Sequence, residues 1–253
     1  MAHVYNSDRQ QEEKLSVSEL IEKANRNIGQ TLDKPFIIFG DIAVNTGLQN
    51  ADPCTYRKCK WVKHPNGKVY VPYVISNQYS THERSIIKRG LNSFHSSTCI
   101  RFIPRSKKED YLDIKSDKGC YSYVGRQGGG QVVSLERQGC VYHGTVQHEI
   151  LHALGFDHEQ TRSDRDQHVK ILYENIKPDM ESNFEIINTN NLETPYDYNS
   201  VMEYGRYAFS KNGKPTIIPI PDQNVEIGTA KEMSPNDILR VNRLYECWNI
   251  GDE

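Results

Sequence analysis

Residues 146–166 read Val146-Gln147-His148-Glu149-Ile150-Leu151-His152-Ala153-Leu154-Gly155-Phe156-Asp157-His158-Glu159-Gln160-Thr161-Arg162-Ser163-Asp164-Arg165-Asp166. The first half is made of good helix formers, and Val146, Ile150, Leu151, Ala153 and Leu154 supply a core-facing stripe. His148 and His152 stand four apart, so both imidazoles leave the same face of that helix. That spacing lets two nitrogens reach one zinc ion. Glu149 sits one residue on, off the ligand axis, where it can accept a proton from water on the metal. Gly155 permits a positive-φ exit from the helix, and the turn returns His158 to the same point as a third ligand. A pair of ordinary helix-surface histidines is the rival reading. The glycine and the third histidine, at the spacing that completes a tripod, decide against it.

The full pattern His-Glu-x-x-His-x-x-Gly-x-x-His is that of the metzincin zinc proteases. Its continuation here, Phe156, His158-Glu159, Arg162 and Asp164-Arg165-Asp166, resembles the astacin family. Ser200-Val201-Met202-Glu203-Tyr204 resembles the methionine turn of the same group, with Glu203 where most astacins carry His. The resemblance implies an α+β metzincin catalytic domain, two lobes around a cleft with a zinc helix, preceded by a small N-terminal pro-segment. It implies one Zn2+ per chain on His148, His152 and His158, with Met202 and Glu159 as structural support. Tyr204, by the same resemblance, can bind zinc in the free enzyme and swings away to donate a hydrogen bond to the tetrahedral oxyanion. The chemistry expected is peptide hydrolysis: the metal lowers the pKa of a water, Glu149 takes its proton and later passes it to the leaving amine. The alternatives are a catalytically silent binding relative, which would usually lack Glu149, and a structural zinc site, which would want four closed protein ligands.

Length and composition agree with one catalytic domain plus a modest extension. The chain has 253 residues, enough to bury a proper core, with 36% apolar and 25% charged residues. A formal net charge of −2 gives no case for nucleic acid or an anionic membrane surface. No apolar run approaches the length of a membrane span. Protein or peptide substrates are the expected partners, and a monomer the expected state. Six cysteines, an even number, point to an oxidising compartment and hence to secretion. They allow fifteen pairings, among which the sequence does not choose. The astacin resemblance implies Cys99 with Cys247, Cys120 with Cys140, and a short extra loop Cys54–Cys59, as in the fish hatching-enzyme branch. Met1 to Lys14 shows no apolar signal-peptide core, so the expectation is that a secretion signal has been removed or lies outside this chain.

Residues 1–49 read as a pro-segment and 50–253 as the catalytic domain. Ser16 with Glu19 is a capping box, and Leu20, Ile21, Ala24 and Ile28 make one apolar face of a short helix that Gly29 would stop. The extended run Pro35-Phe36-Ile37-Ile38-Phe39 ends in Gly40-Asp41. Gly-Asp alone is more often a simple turn. By resemblance to astacin pro-segments, Asp41 is the latency switch that occupies the open zinc position, with residues 36–39 lying in the cleft. The polar stretch Gly47-Leu48-Gln49-Asn50 is the kind of exposed loop that proteases cut. Asn50-Ala51-Asp52-Pro53-Cys54 resembles the mature start of the hatching-enzyme and nephrosin branch, and tips the expectation slightly toward a leukocyte or haematopoietic protease over an egg-envelope one. Beyond it, strands are expected near 69–74 and along an edge at 120–124, a helix after Ser80, and a last helix from Ser234-Pro235.

Overall fold

The computed structural model describes residues 14–28, 35–44 and 59–247. Four helices of at least eight residues and nine strands are formed among them: α1 (Val17–Ala24), β1 (Phe36–Ile38), β2 (Ile42–Val44), β3 (Val69–Ile75), α2 (Thr81–Asn92), β4 (Ile100–Pro104), β5 (Tyr111–Lys115), β6 (Cys120–Ser122), β7 (Gly130–Leu135), α3 (His143–Leu154), β8 (Val169–Ile171), β9 (Ile217–Pro219) and α4 (Pro235–Leu244). Seven strands make one sheet in the order β1-β2-β6-β7-β5-β3-β4. β4, β3, β5 and β7 run parallel, and β6 turns antiparallel onto β7. The alternating runs at 100–104 and 111–115 bury Ile100, Phe102, Leu112 and Ile114 toward α2 and α3. β8 and β9 pair separately in the lower lobe, whose own core is built on Val169, Ile176, Phe184, Tyr204 and Ile217.

The helix ends obey the sequence. Ser16, Ser80 and Ser234 each accept the N–H of the residue three on, and Glu19, Glu83 and Asp237 reach back to complete capping boxes. α2 and α3 pack tightly at Gly90, where an added Cβ would lie 2.5 Å from Val146 Cγ1. α3 departs from the one-sided stripe expected of it: every residue from Gly144 to Leu154 is buried. The reason is its position, with the sheet and α2 behind it, α1 near its first turn and the cleft in front. Its last-turn carbonyls, which have no partner within a helix, are taken by Trp61 Nε1 (to Ala153, 2.9 Å), Tyr245 Oη (to Leu154, 2.8 Å) and the Gly125 N–H (to His152, 2.8 Å).

One expectation for the amino-terminal part is corrected. α1 stops at Ala24 with Asn25 as its cap, well before Gly29, because the Asn25 side chain is drawn out of the helix to β6. The extended run 36–38 forms the outermost strand of the sheet, and Ile37 lines the same cavity as Asp41 and His148. Phe39 (φ 47°) and Gly40 (φ 83°) turn the chain back on itself, so β1 pairs only with β2, and β2 lies against β6. Phe36 is 57% exposed. Among the described residues no helix is long and apolar enough to cross a membrane.

Candidate active site and metal centre

α3 aims His148 and His152 to one side, and Gly155, at φ 113° in the left-handed region, turns the chain so that His158 faces them. Asp41 meets all three. Its Oδ2 lies 3.0 Å from His148 Nε2, and its Oδ1 lies 3.0 Å from His158 Nε2 and 3.4 Å from His152 Nε2. The four ligand atoms fall within 4.8 Å of one another, and all four residues are buried. His148 Nδ1 donates to the Val201 carbonyl at 2.8 Å and His152 Nδ1 to the Phe156 carbonyl at 2.7 Å. A carbonyl can only accept, so each Nδ1 carries a proton, and Nε2 is the ring nitrogen directed at the common point.

This arrangement fits a cation. Three imidazole Nε2 atoms and a carboxylate converge on one buried point. Burial pushes His158 down to about 4, so a second proton on that ring is disfavoured. Asp41 stays ionised: burial would raise its carboxyl, but the surrounding imidazoles hold it well below the usual range. Among the unpartnered buried atoms are Asp41 Oδ1 and His152 Nε2. Three nitrogens and a hard oxygen are the donor set that zinc takes.

Glu149 is fully buried and neither carboxylate oxygen has a hydrogen-bond partner. Desolvation, with the Asp41 charge adding to it, pushes its carboxyl well above the usual range. Tyr204 is 7% exposed; its ring centroid lies 4.6 Å from that of His158, and its hydroxyl donates to the Phe39 carbonyl. Met202 is buried, and its carbonyl accepts the Glu159 N–H at 3.0 Å. Glu203 is buried too, away from the ligands: its Oε2 accepts the Tyr196 hydroxyl at 2.5 Å, and Tyr196 stacks on His168. The larger histidine of most astacins is replaced here by a tyrosine–carboxyl hydrogen bond.

Glu159 brings a partner that the sequence did not announce. Arg240 on α4 grips both its oxygens, at 2.5 and 2.8 Å, while Arg162 Nη1 (3.3 Å) and the Asp197 N–H (2.7 Å) meet Oε1. Only a helical periodicity placing Arg240 three after Asp237 hinted at an inward basic residue. Cys99–Cys247 and Cys120–Cys140 are joined as disulfides. Cys59 is disulfide-bonded, and Cys54 lies outside the described residues, as does the stretch Gly47 to Cys54.

Residues 55–246 match the family model for Astacin, a family of peptidases. The chain belongs to the astacin family. It is a zinc metalloprotease by that membership, and the three histidines with Asp41 are its metal-binding group. Among similar astacins, high choriolytic enzyme 2 of Oryzias latipes is 49% identical over 225 residues, spanning 88% of this chain and 78% of that protein. High choriolytic enzyme 1 of the same fish is 47% identical over 234 residues, spanning 92% of this chain and 84% of that protein. The solved structure of high choriolytic enzyme 1, a hatching-enzyme zinc protease from medaka, matches with a TM-score of 0.75 and 51% identity, covering 78% of this chain and all of that one.

Proposed function

We propose that this astacin is a secreted endopeptidase made as a zymogen, hydrolysing proteins of an egg envelope. The observation that carries the catalytic reading is the unpartnered, buried Glu149 beside a three-histidine metal group. Zinc, when bound there, supplies a Lewis acid that acidifies water and polarises a peptide carbonyl. Glu149 accepts the proton of the attacking water and returns it to the departing amine. Tyr204, freed from Phe39, donates its hydroxyl to the developing oxyanion. Once the pro-segment has left, the edge of β6 that β2 now covers is free for the substrate main chain, which it would hold in extended form. A silent binding relative would have no need of Glu149.

The zymogen reading rests on Asp41 and on the relatives. With its carboxylate among the three histidines, the chain has no open ligand position for water. High choriolytic enzyme 1 aligns over 92% of this chain as a sequence but over only 78% as a solved structure, itself covered in full. The difference corresponds to a piece that the solved form lacks, as a removed pro-segment would. We place the boundary near Gln49–Asn50, ahead of the family match that begins at residue 55. The choriolytic relatives weigh toward egg-envelope protein and against the leukocyte alternative. In the cleaved chain, Glu149→Gln should keep one zinc and lose peptide hydrolysis by at least about 100-fold, the contribution of a positioned general base. Zinc content and turnover of the two proteins, measured side by side, decide it; near-normal turnover would remove Glu149 from the mechanism.

A further inference from the structure

The outer edge of β6 is closed by two separate pieces of chain. Ser122 donates its N–H to the Asp41 carbonyl at 3.1 Å. Two residues earlier, Cys120 is met by a side chain: Asn25 Nδ2 donates to the Cys120 carbonyl at 2.6 Å, and Asn25 Oδ1 accepts the Cys120 N–H at 2.8 Å. Nδ2 donates also to the Gly40 carbonyl at 2.9 Å, which ties α1 to the turn that carries Asp41. Alternate residues of a strand direct their main-chain groups to the same side, so Cys120 and Ser122 are the outward pair of this three-residue strand. Exchange of both N–H···O bonds with a single residue is what an antiparallel neighbour would do to Cys120. The Asn25 carboxamide, a donor and an acceptor on one planar group, is a peptide unit in miniature. Asn25 is 8% exposed, and a Cβ at the preceding Gly119 would lie 2.4 Å from its Oδ1, so the fit leaves no slack. Helix capping does not account for this placement, since the cap of α1 is made by the Asn25 backbone N–H to Ile21.

We propose that Asn25 is a second lock on the cleft, separate from the metal: its carboxamide holds the main-chain docking position on β6 that an incoming substrate strand must use. The proposal rests on the latency reading above and adds a site to it. Asp41 denies water to the metal; Asn25 denies the sheet edge to the peptide. Release therefore requires both to leave, and either alone leaves partial occlusion.

The test uses the full chain, uncut, carrying Asn25→Leu, which keeps the branched shape and removes the two hydrogen bonds to Cys120 and the one to Gly40. The Cys120 amide should exchange with solvent deuterium about tenfold faster than in the wild type, the loss expected from one to two buried hydrogen bonds. In an uncut chain that also carries Asp41→Ala, adding Asn25→Leu should raise peptide hydrolysis by a similar factor, with zinc content unchanged. Cleavage near Gln49–Asn50 discards residue 25, so the cut variant and the cut wild type are the same molecule and must share one activity, which certifies that the domain folded. Unchanged exchange at Cys120 overturns the pairing; faster exchange with no gain in uncut hydrolysis overturns the lock. An uncut wild type already as active as the cut enzyme sinks the latency reading instead, and the lock with it, while Cys120 exchange still decides the pairing.

Discussion

Arg240 changes how Glu159 is understood. A carboxylate buried to 2% exposure and gripped by two guanidinium groups already has its charge balanced. The pair's worth shows when one side is removed: Arg240→Met leaves Glu159 short of two charge-assisted bonds in a dry setting, at a cost of about 3 kcal/mol or more. A denaturation midpoint unchanged from wild type would show that Arg162 and the Asp197 N–H suffice. Tyr204 acts at the same scale but on rate. Tyr204→Phe keeps the ring against His158 and loses the hydroxyl, so the cleaved variant should fall in kcat by about 10- to 100-fold with KM nearly constant, as for a hydrogen bond made only in the transition state. An effect confined to KM would contradict the role. The convergence of His148, His152 and His158 was legible from their spacing, whereas Tyr204 was reached only through the resemblance of its methionine turn. Arg240 and Asn25 were not legible, since each acts across a long stretch of chain on a partner that no local pattern names.

Elements were readable in proportion to how local their determinants are. The capping boxes at Ser16, Ser80 and Ser234 and the exit at Gly155 are written within four residues, and the structure forms them there. The tight turn of the hairpin at 36–44 was not legible, because it depends on Phe39 adopting a positive φ, which a phenylalanine does only under tertiary constraint. That constraint is visible: Tyr204 holds the Phe39 carbonyl, and a Cβ on Gly40 would lie 3.1 Å from the Phe209 ring. The burial of α3 on all sides was likewise beyond an amphipathic pattern, because one of its faces is lined by ligands rather than by apolar side chains. Gly155 is where the element and the site meet. At φ 113° an alanine is strained, so Gly155→Ala should cost about 1–2 kcal/mol and shift His158 off the common point of the Nε2 atoms. Zinc affinity is then the sensitive readout: a fall of about tenfold or more is expected. Unaltered affinity with lowered stability would mean that the turn supports the fold and not the metal.

At the scale of the molecule, one metal group joins three distant parts of the chain. Asp41 comes from the hairpin beside β6, His148 and His152 from the helix behind the cleft, and His158 from the entry to the lower lobe. Binding free energy at such a point is stability free energy, because the unfolded chain does not assemble the site. On the proposed zymogen reading the uncut chain has four ligands and the cut enzyme three, so the two forms should differ in how they hold zinc as well as in activity. Asp41→Ala, uncut, separates these effects: Asn25 and β2 remain to cover β6, but the fourth ligand is gone. That variant should surrender zinc to a chelator at least about tenfold faster than the uncut wild type, the equivalent of about 1.4 kcal/mol. Its thermal midpoint should fall further than the wild type's when the chelator is present. Its peptide hydrolysis should lie between the uncut and cut wild types, since the metal is opened to water while Asn25 still closes the strand edge. Equal chelation rates for the variant and the uncut wild type would show that Asp41 sits beside the metal without holding it, and the fourth-ligand assignment would then be wrong.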